Sequence, residues 1–328
     1  MPIIIHADNP AEFEEQLINS VISPDHAYRK INKLINFKAF CKPLKKLYSP
    51  LGQHGVPVEK GVKAMLLQFW EDLSDRQMEM AVRENIAIRW FCGFSLSEKT
   101  PDYSYFSKLR KRLGTKRIAD MFNFINDELQ KKGLFGNIFY FMDASTIITK
   151  TALWEERDKA IKDGHDKLNN LVVKEYAADK QARWGAKSKK NIWFGYKRHT
   201  TVDMRYGLIS KTTITPANIL DYQVVEQICP KQGYIFMDKL YDTKDTDMKI
   251  RASGCSPGTI RKNNNPNKNH ELDRWRSHMR MPYEGTFSKL PKKARYRGHS
   301  KVAFQNFGES IAYNLKKAVQ YLPQSTCL

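Results

Sequence analysis

The sequence predicts an α/β protein: a mixed sheet covered by helices and preceded by an all-helical region. Three observations carry this. Apolar residues recur at helical spacing up to about Gly133, short aromatic and apolar runs begin after Gly136, and from there strand and helix patterns alternate.

In VEKGVKAMLLQFWEDL, the residues Val58, Val62, Met65, Leu66, Phe69 and Trp70 share one helical face. Ser74 followed by Gln77 is a capping-box pattern and predicts a helix through Met78 and Val82. Thr100 as cap, Pro101 at the first position and Gly114 at the end punctuate a third helix. It carries Lys108, Arg110, Lys111 and Arg112 beside Tyr103, Tyr105 and Phe106. A fourth, Lys116 to Lys132, packs Ile118, Met121, Phe122, Ile125 and Leu129.

Beyond Gly136, NIFYFMDAS reads as a buried strand ending in Asp143. Residues 151–190 are polar with helical propensity and contain the basic run Lys187, Lys189 and Lys190. IWFGYKRHTTVDM and GLISKTTIT predict two strands joined by a turn at Tyr206 and Gly207. A helix from Asn218 to Ile228 leads to YIFMDK, a second apolar strand ending in Asp238. A helix from Thr243 to about Ala252, a strand near SPGTIRK and a polar loop, RKNNNPNKN, come next. A last helix is lined by Phe304, Phe307, Ile311 and Leu315. The expectation is a mixed five-stranded sheet flanked by helices.

Charge narrows the partner. Lys and Arg number 55 against 35 Asp and Glu, a formal charge of +20. Such an excess repels itself in the folded state, and a polyanionic partner is the usual reason to tolerate it. Nucleic acid comes first and an anionic membrane surface second; no apolar run approaches the ~20 residues needed to span a bilayer. Charge alone would fit an RNA-binding protein equally well. The N-terminus lacks the basic flank and apolar stretch of a signal peptide. Five scattered cysteines without a CxxC pair support neither a zinc ribbon nor a disulfide framework. They read as reduced thiols in a cytosolic protein.

An apolar strand that ends in a carboxylate costs stability unless the group is solvated, paired or holding a metal. If the strands of Asp143 and Asp238 are neighbours, both acids emerge at one sheet edge, where a divalent cation would relieve their repulsion. Oxygen donors with no nearby cysteine favour Mg²⁺, with Mn²⁺ as the alternative. A turn cap after each strand fits the same spacing equally well. The third acid is expected beyond Asp238, and Glu284 is the candidate. It stands in a stretch rich in cations: Arg274, Arg276, Arg280, Lys289, Lys292, Lys293, Arg295 and Arg297. These can hold a phosphate backbone. Pro282 and Gly285 flank Glu284, which places it at a helix start or on a kinked helix.

These segments carry a resemblance. The chain resembles bacterial insertion-sequence transposases of the DDE class, close to the insertion-sequence-five family. The likeness covers nearly the whole length: HGVPVEKGVKAMLLQFWEDLSDRQMEMAVRENIAIRWFCGFSL and TPDYSYFSKLRKRLG, then FMDAS, WFGYKRHTTVDMRYGLISKTTITPANILD, FMDKLYDT, RKNNN and PYEGTFSKLPKKARYRG. It implies an RNase H-like domain over 134–328, with an insertion at about 151–190, after a DNA-end-binding and assembly region over 1–133. It implies the triad Asp143, Asp238 and Glu284 and two-metal phosphoryl transfer: one cation activates water at the element's end, the other stabilises the leaving oxygen, and the freed 3′-hydroxyl then attacks target DNA. Implied partners are double-stranded DNA, both element ends and target, and further copies of the chain on that DNA, in a nucleoid-associated cytoplasmic setting with no membrane. Of the family's signature of Tyr, Arg, Glu and Lys, Arg280 and Glu284 match; Ser277 replaces the Tyr, and Pro291 the Lys, with Lys292 one place later. Leu240 replaces the small residue usual after the second Asp-Lys pair. The rival readings are a metal nuclease on the same fold and an inactive or domesticated nucleic-acid-binding protein.

Three residues invite roles beyond the triad. His199 can support the metal site or a phosphate, although a satisfied strand histidine is the plainer expectation. Asp203 is expected to support a turn. Trp184 can stack on an unpaired base, with core packing the plainer role. The helix bearing Lys108, Arg110, Lys111 and Arg112, and the basic run at 187–190, are the other expected DNA contacts.

Overall fold

The computed structural model describes residues 9–48, 55–150, 170, 173–188 and 191–322. Its packing separates two units: residues up to Lys132 together with those from Ile311 on, and Gly133–Ser310.

The first unit is helical. Its elements are α1 (Pro10–Val21), α2 (Ala27–Leu34), α3 (Phe37–Cys41), α4 (Val58–Trp70), α5 (Asp75–Glu84), α6 (Ile86–Cys92) and α7 (Tyr103–Lys131). On α4 the residues Val58, Val62, Met65, Leu66, Phe69 and Trp70 are all buried, as their spacing predicts. The Ser74–Gln77 box opens α5, with Gln77 Oε1 accepting from the Ser74 amide at 2.9 Å and the Ser74 hydroxyl accepting from the Gln77 amide at 3.3 Å. The cap of α7 is Asp102 rather than Thr100, because its carboxylate accepts from the Ser104 and Tyr105 amides. The chain leaves helical geometry at Gly114 (φ 67°, ψ 174°) and resumes the helix at once, so the third and fourth predicted helices are two arms of α7.

The second unit is built on a six-stranded sheet. Its strands are β1 (Phe139–Ile148), β2 (Arg183–Ser188), β3 (Asn191–Asp203), β4 (Leu208–Pro216), β5 (Gly233–Met237) and β6 (Cys255–Thr259). The order is β2-β3-β1-β5-β6, with β4 also on β3. β3 lies antiparallel to β1 and β4, while β5 and β6 run parallel to β1 and to each other. The five expected strands are present. The sixth, β2, lies in the segment expected to be helical: it pairs with β3 at residues 191–195, before β4 takes up pairing from Tyr196 on. Within the same segment Val173–Tyr176 forms a short helix, α8. Residues 151–169, 171–172 and 189–190, which include Lys189 and Lys190, lie outside the described residues.

The helix expected over 218–228 is two short pieces, a 3-10 turn at Asp221–Val224 and α9 at Val225–Ile228. α10 (Lys244–Ala252) starts where expected, capped by Thr243. α11 (His270–Ser288) crosses the sheet and packs on β1, β5 and β6. α12 (His299–Tyr321) buries Phe304, Ile311 and Leu315.

Candidate active site

β1 and β5 pair in parallel, with Phe139 beside Tyr234, Tyr140 beside Ile235 and Phe141 beside Phe236. The same register carried two residues further sets Asp143 level with Asp238. Side chains alternate along a strand, so Asp143 shares a face with Phe141, and Asp238 lies beyond Phe236 on that same side. Phe141 and Phe236 share a core cluster with Phe287 of α11, which identifies the helix covering that face. Asp238 ends its strand as expected. Asp143 does not: β1 runs five residues further, because its pairing with β3 continues to Ile148 opposite Gly195.

α11 supplies the third acid. Glu284 lies well inside this helix, with Pro282 two residues before it. Four residues apart on a helix means one face, and Arg280 Nη2 stands 3.3 Å from Glu284 Oε1. Arg280 Nη1 is 3.7 Å from Asp238 Oδ1, and its guanidinium lies 5.2 Å from the Phe141 ring centre. The Arg280 charge also acts on Asp143. One arginine therefore stands within ion-pair distance of two of the three acids that the sequence singles out, and its charge reaches the third.

The acids differ in setting. Asp143 is half-buried and accepts from the Ala144 amide at 2.8 Å. Burial pushes its carboxyl up to about 6, against the opposing pull of that amide and of Arg280 and Lys187. Asp238 caps the 3-10 turn Lys239–Tyr241 by accepting from the Lys239 amide at 2.6 Å. Glu284 is exposed.

A hard divalent cation fits this donor set in kind, since every acid offers carboxylate oxygen. Nε and Nη1 of Arg280 are buried without a hydrogen-bond partner; as donors on a cation they call for an acceptor such as a phosphate oxygen, not for the metal. The acids are not closed on a common point. Among the described residues, no three His, Cys, Asp or Glu side chains are grouped to hold a metal ion.

His199 is turned away from these acids. It pairs with Ala144, one place from Asp143, and therefore points to the opposite face. It is fully buried, its Nε2 2.8 Å from Thr215 Oγ1, and desolvation pushes its imidazole down to about 4. Asp203 fastens the entry to β1, accepting from the amides of Gly136, Asn137 and Arg205. Trp184 is buried against Phe194, in the core role.

The basic candidates divide. Lys108, Lys111, Arg112, Lys187, Lys289, Lys292, Lys293 and Arg297 are exposed, and Arg295 is half-buried. Arg110 is committed within the helical unit, bound to Asp75 by contacts of 2.5 and 2.8 Å. Arg276 is buried and donates to the Thr259 carbonyl. Tyr241, three residues after Asp238, is a fully buried phenol packed in the core with Met142 and Met237.

Residues 137–315 match the family described as Transposase DDE domain, more than half of the chain. The chain belongs to the DDE transposases. Its helical part, residues 16–112, matches a second family described as Transposase domain (DUF772). No solved structure matches the chain at a significant level. The DDE domain makes the sheet unit RNase H-like, consistent with its antiparallel β1, β3 and β4 followed by parallel β5 and β6. DDE transposases act on DNA and use divalent metals such as Mg²⁺. Among the described residues no helix is long and apolar enough to cross a membrane.

Proposed function

We propose that this transposase cuts DNA at the ends of an insertion sequence and joins the freed 3′-hydroxyl to target DNA, with Asp143, Asp238 and Glu284 as the ligands of Mg²⁺ or Mn²⁺. The observation that carries this reading is the parallel register of β1 and β5, which brings Asp143 level with Asp238 beneath the helix bearing Glu284. A cation bound there supplies Lewis-acid activation of the attacking hydroxyl and neutralises charge at the leaving oxygen. The protein's own residues position the substrate. Arg280, whose Nε and Nη1 make no hydrogen bond within the protein, offers donors to a phosphate. Lys187, Lys289, Lys292, Lys293, Arg295 and Arg297 hold the DNA backbone around the cut. Lys108, Lys111 and Arg112 on α7 contact DNA at the element's end. The chain acts in the cytoplasm at the nucleoid, as a member of, or close to, the insertion-sequence-five family.

Joining separates this reading from its nearest rival. Given a pre-cut end with a free 3′-hydroxyl and Mg²⁺, the chain is expected to insert that end into a second duplex. Cleavage without insertion would make it a nuclease on the same fold. Two ends must be held together for joining, so light scattering of the strand-transfer complex is expected to give at least a dimer; a monomeric complex would overturn that part.

A further inference from the structure

β5 stops at Met237, and the turn Lys239–Tyr241 that follows is fixed on both sides. Asp238 caps it, and the Tyr241 ring is buried with Met142 and Met237. The Asp242 carboxylate accepts from Arg261 and from the Lys262 amide, each at 2.7 Å. Between these anchors Lys239 and Leu240 are held out to solvent, with Leu240 58% exposed. The turn Asp221–Val224 lies against this one, and Leu220, just before it, is 51% exposed.

A lone exposed leucine is ordinary; the surroundings give this one a meaning. Arg280 Nη1 is 3.7 Å from Asp238 Oδ1, and neither it nor Nε makes a hydrogen bond, so the protein calls for a phosphate oxygen beside Asp238. Leu240 is two residues from Asp238, a reach of at most ~7 Å. The nucleotide carrying that phosphate therefore meets Leu240, while exposed Lys239 offers a cation to the same backbone. An isobutyl group gains nothing from the hydrogen-bonding edges of the grooves; its apolar partners on DNA are the base faces. Stacking covers those faces in an intact duplex, and a cut leaves one of them bare at the new end.

We propose that Leu240 caps the terminal base pair of the cut element end, packing on its bare face beside the phosphate held by Arg280, with Leu220 bordering the same contact. The inference rests on the reading that DNA is cut at Asp238, and it needs no bound cation. The resemblance expects a small residue at position 240, so this cap is a property of this chain rather than of its relatives.

The test is binding of the full chain, in a chelator so that nothing reacts, to two duplexes carrying the element's end. One stops at the cut and the other continues through it into flanking DNA. The wild type is expected to prefer the duplex that stops. Leu240→Ala should weaken binding to that duplex about 10-fold, the order expected for uncovering a leucine side chain. Its binding to the continuous duplex and its melting temperature should not change, and Leu240→Met should keep the preference. Equal weakening on both duplexes, or no change on either, would overturn the proposal. A smaller complex by light scattering with the end preference intact would also overturn it, and would assign Leu240 to a second copy of the chain. If the wild type binds neither duplex, the end-binding reading falls and the cap falls with it; if it binds both equally, only the cap falls.

Discussion

Two ionic sites in the sheet unit use the same chemistry and reach opposite ends. At the first, Arg198 of β3 is fully buried against Glu309 of α12. Its Nε donates to Asn306 at 2.7 Å, Asn306 donates to Thr212, and Gln305 donates to Glu309 at 2.7 Å. At the second, Arg280 meets Asp238 and Glu284 at 3.7 and 3.3 Å, while its buried Nε and Nη1 make no hydrogen bond. The first site is closed by its own hydrogen bonds and serves the fold. The second leaves donors and acids unmatched, which a packed interior tolerates where something else binds.

This contrast yields predictions of decreasing size. Arg198→Met should cost about 3–5 kcal/mol of stability, because Glu309 is then left buried and unpaired; a chemical denaturation midpoint close to wild type would break the comparison. At the open site the effect is one of pH. Folding raises the Asp143 carboxyl to about 6, so it favours the protonated form. Its contribution to metal-free stability is therefore full below about pH 4 and is lost as pH climbs through about 6. It amounts to about 2 kcal/mol or less once partial exposure is discounted. Asp143→Asn should flatten that slope, and in the wild type the metal requirement should rise as pH falls below about 6. An equal slope in both proteins would remove Asp143 as its source.

Smaller effects sharpen the same distinction. Arg110→Ala should cost about 1–3 kcal/mol through the loss of Asp75's partner, whereas Lys108→Ala and Lys111→Ala should leave melting unchanged. Each lysine change should instead lower the salt dependence of DNA-end binding by roughly one unit of slope. Equal salt slopes in wild type and variants would take α7 off the DNA. Glu284→Ala should change stability by less than about 0.5 kcal/mol, as expected for an exposed ion pair; a cost like that of Arg198→Met would make Glu284 a structural residue.

Much of this architecture was legible in the residues. The aromatic runs before Asp143 and Asp238 marked two buried strands, and the alternation of elements after Gly136 gave the mixed sheet. Other parts were hidden for identifiable reasons. β2 carries exposed Ala186, Lys187 and Ser188, so no apolar alternation announces it; it forms because β4 leaves residues 191–195 of β3 to be paired. α11 contains Pro282 and Gly285, two helix breakers, yet burial of Arg276, Thr286 and Phe287 against the sheet outweighs them. Arg110 looks like its exposed neighbours in sequence, and only its position opposite Asp75 sets it apart. Within the candidate site, the three acids were readable from composition and resemblance. That Arg280 also reaches Asp238 depends on a contact between segments that no local pattern encodes.

The most direct test of the central claim is Mg²⁺-dependent cleavage of the element's own ends by wild type, Asp143→Ala, Asp238→Ala and Glu284→Ala, with DNA binding measured in parallel. The account predicts that the wild type cuts and joins, and that each variant binds DNA normally while its cleavage falls by at least ~10³-fold, about 4 kcal/mol in the barrier. Cleavage that survives any one of the three substitutions would contradict the triad, and binding without reaction by all four proteins would mark this chain as a binding protein on a transposase fold.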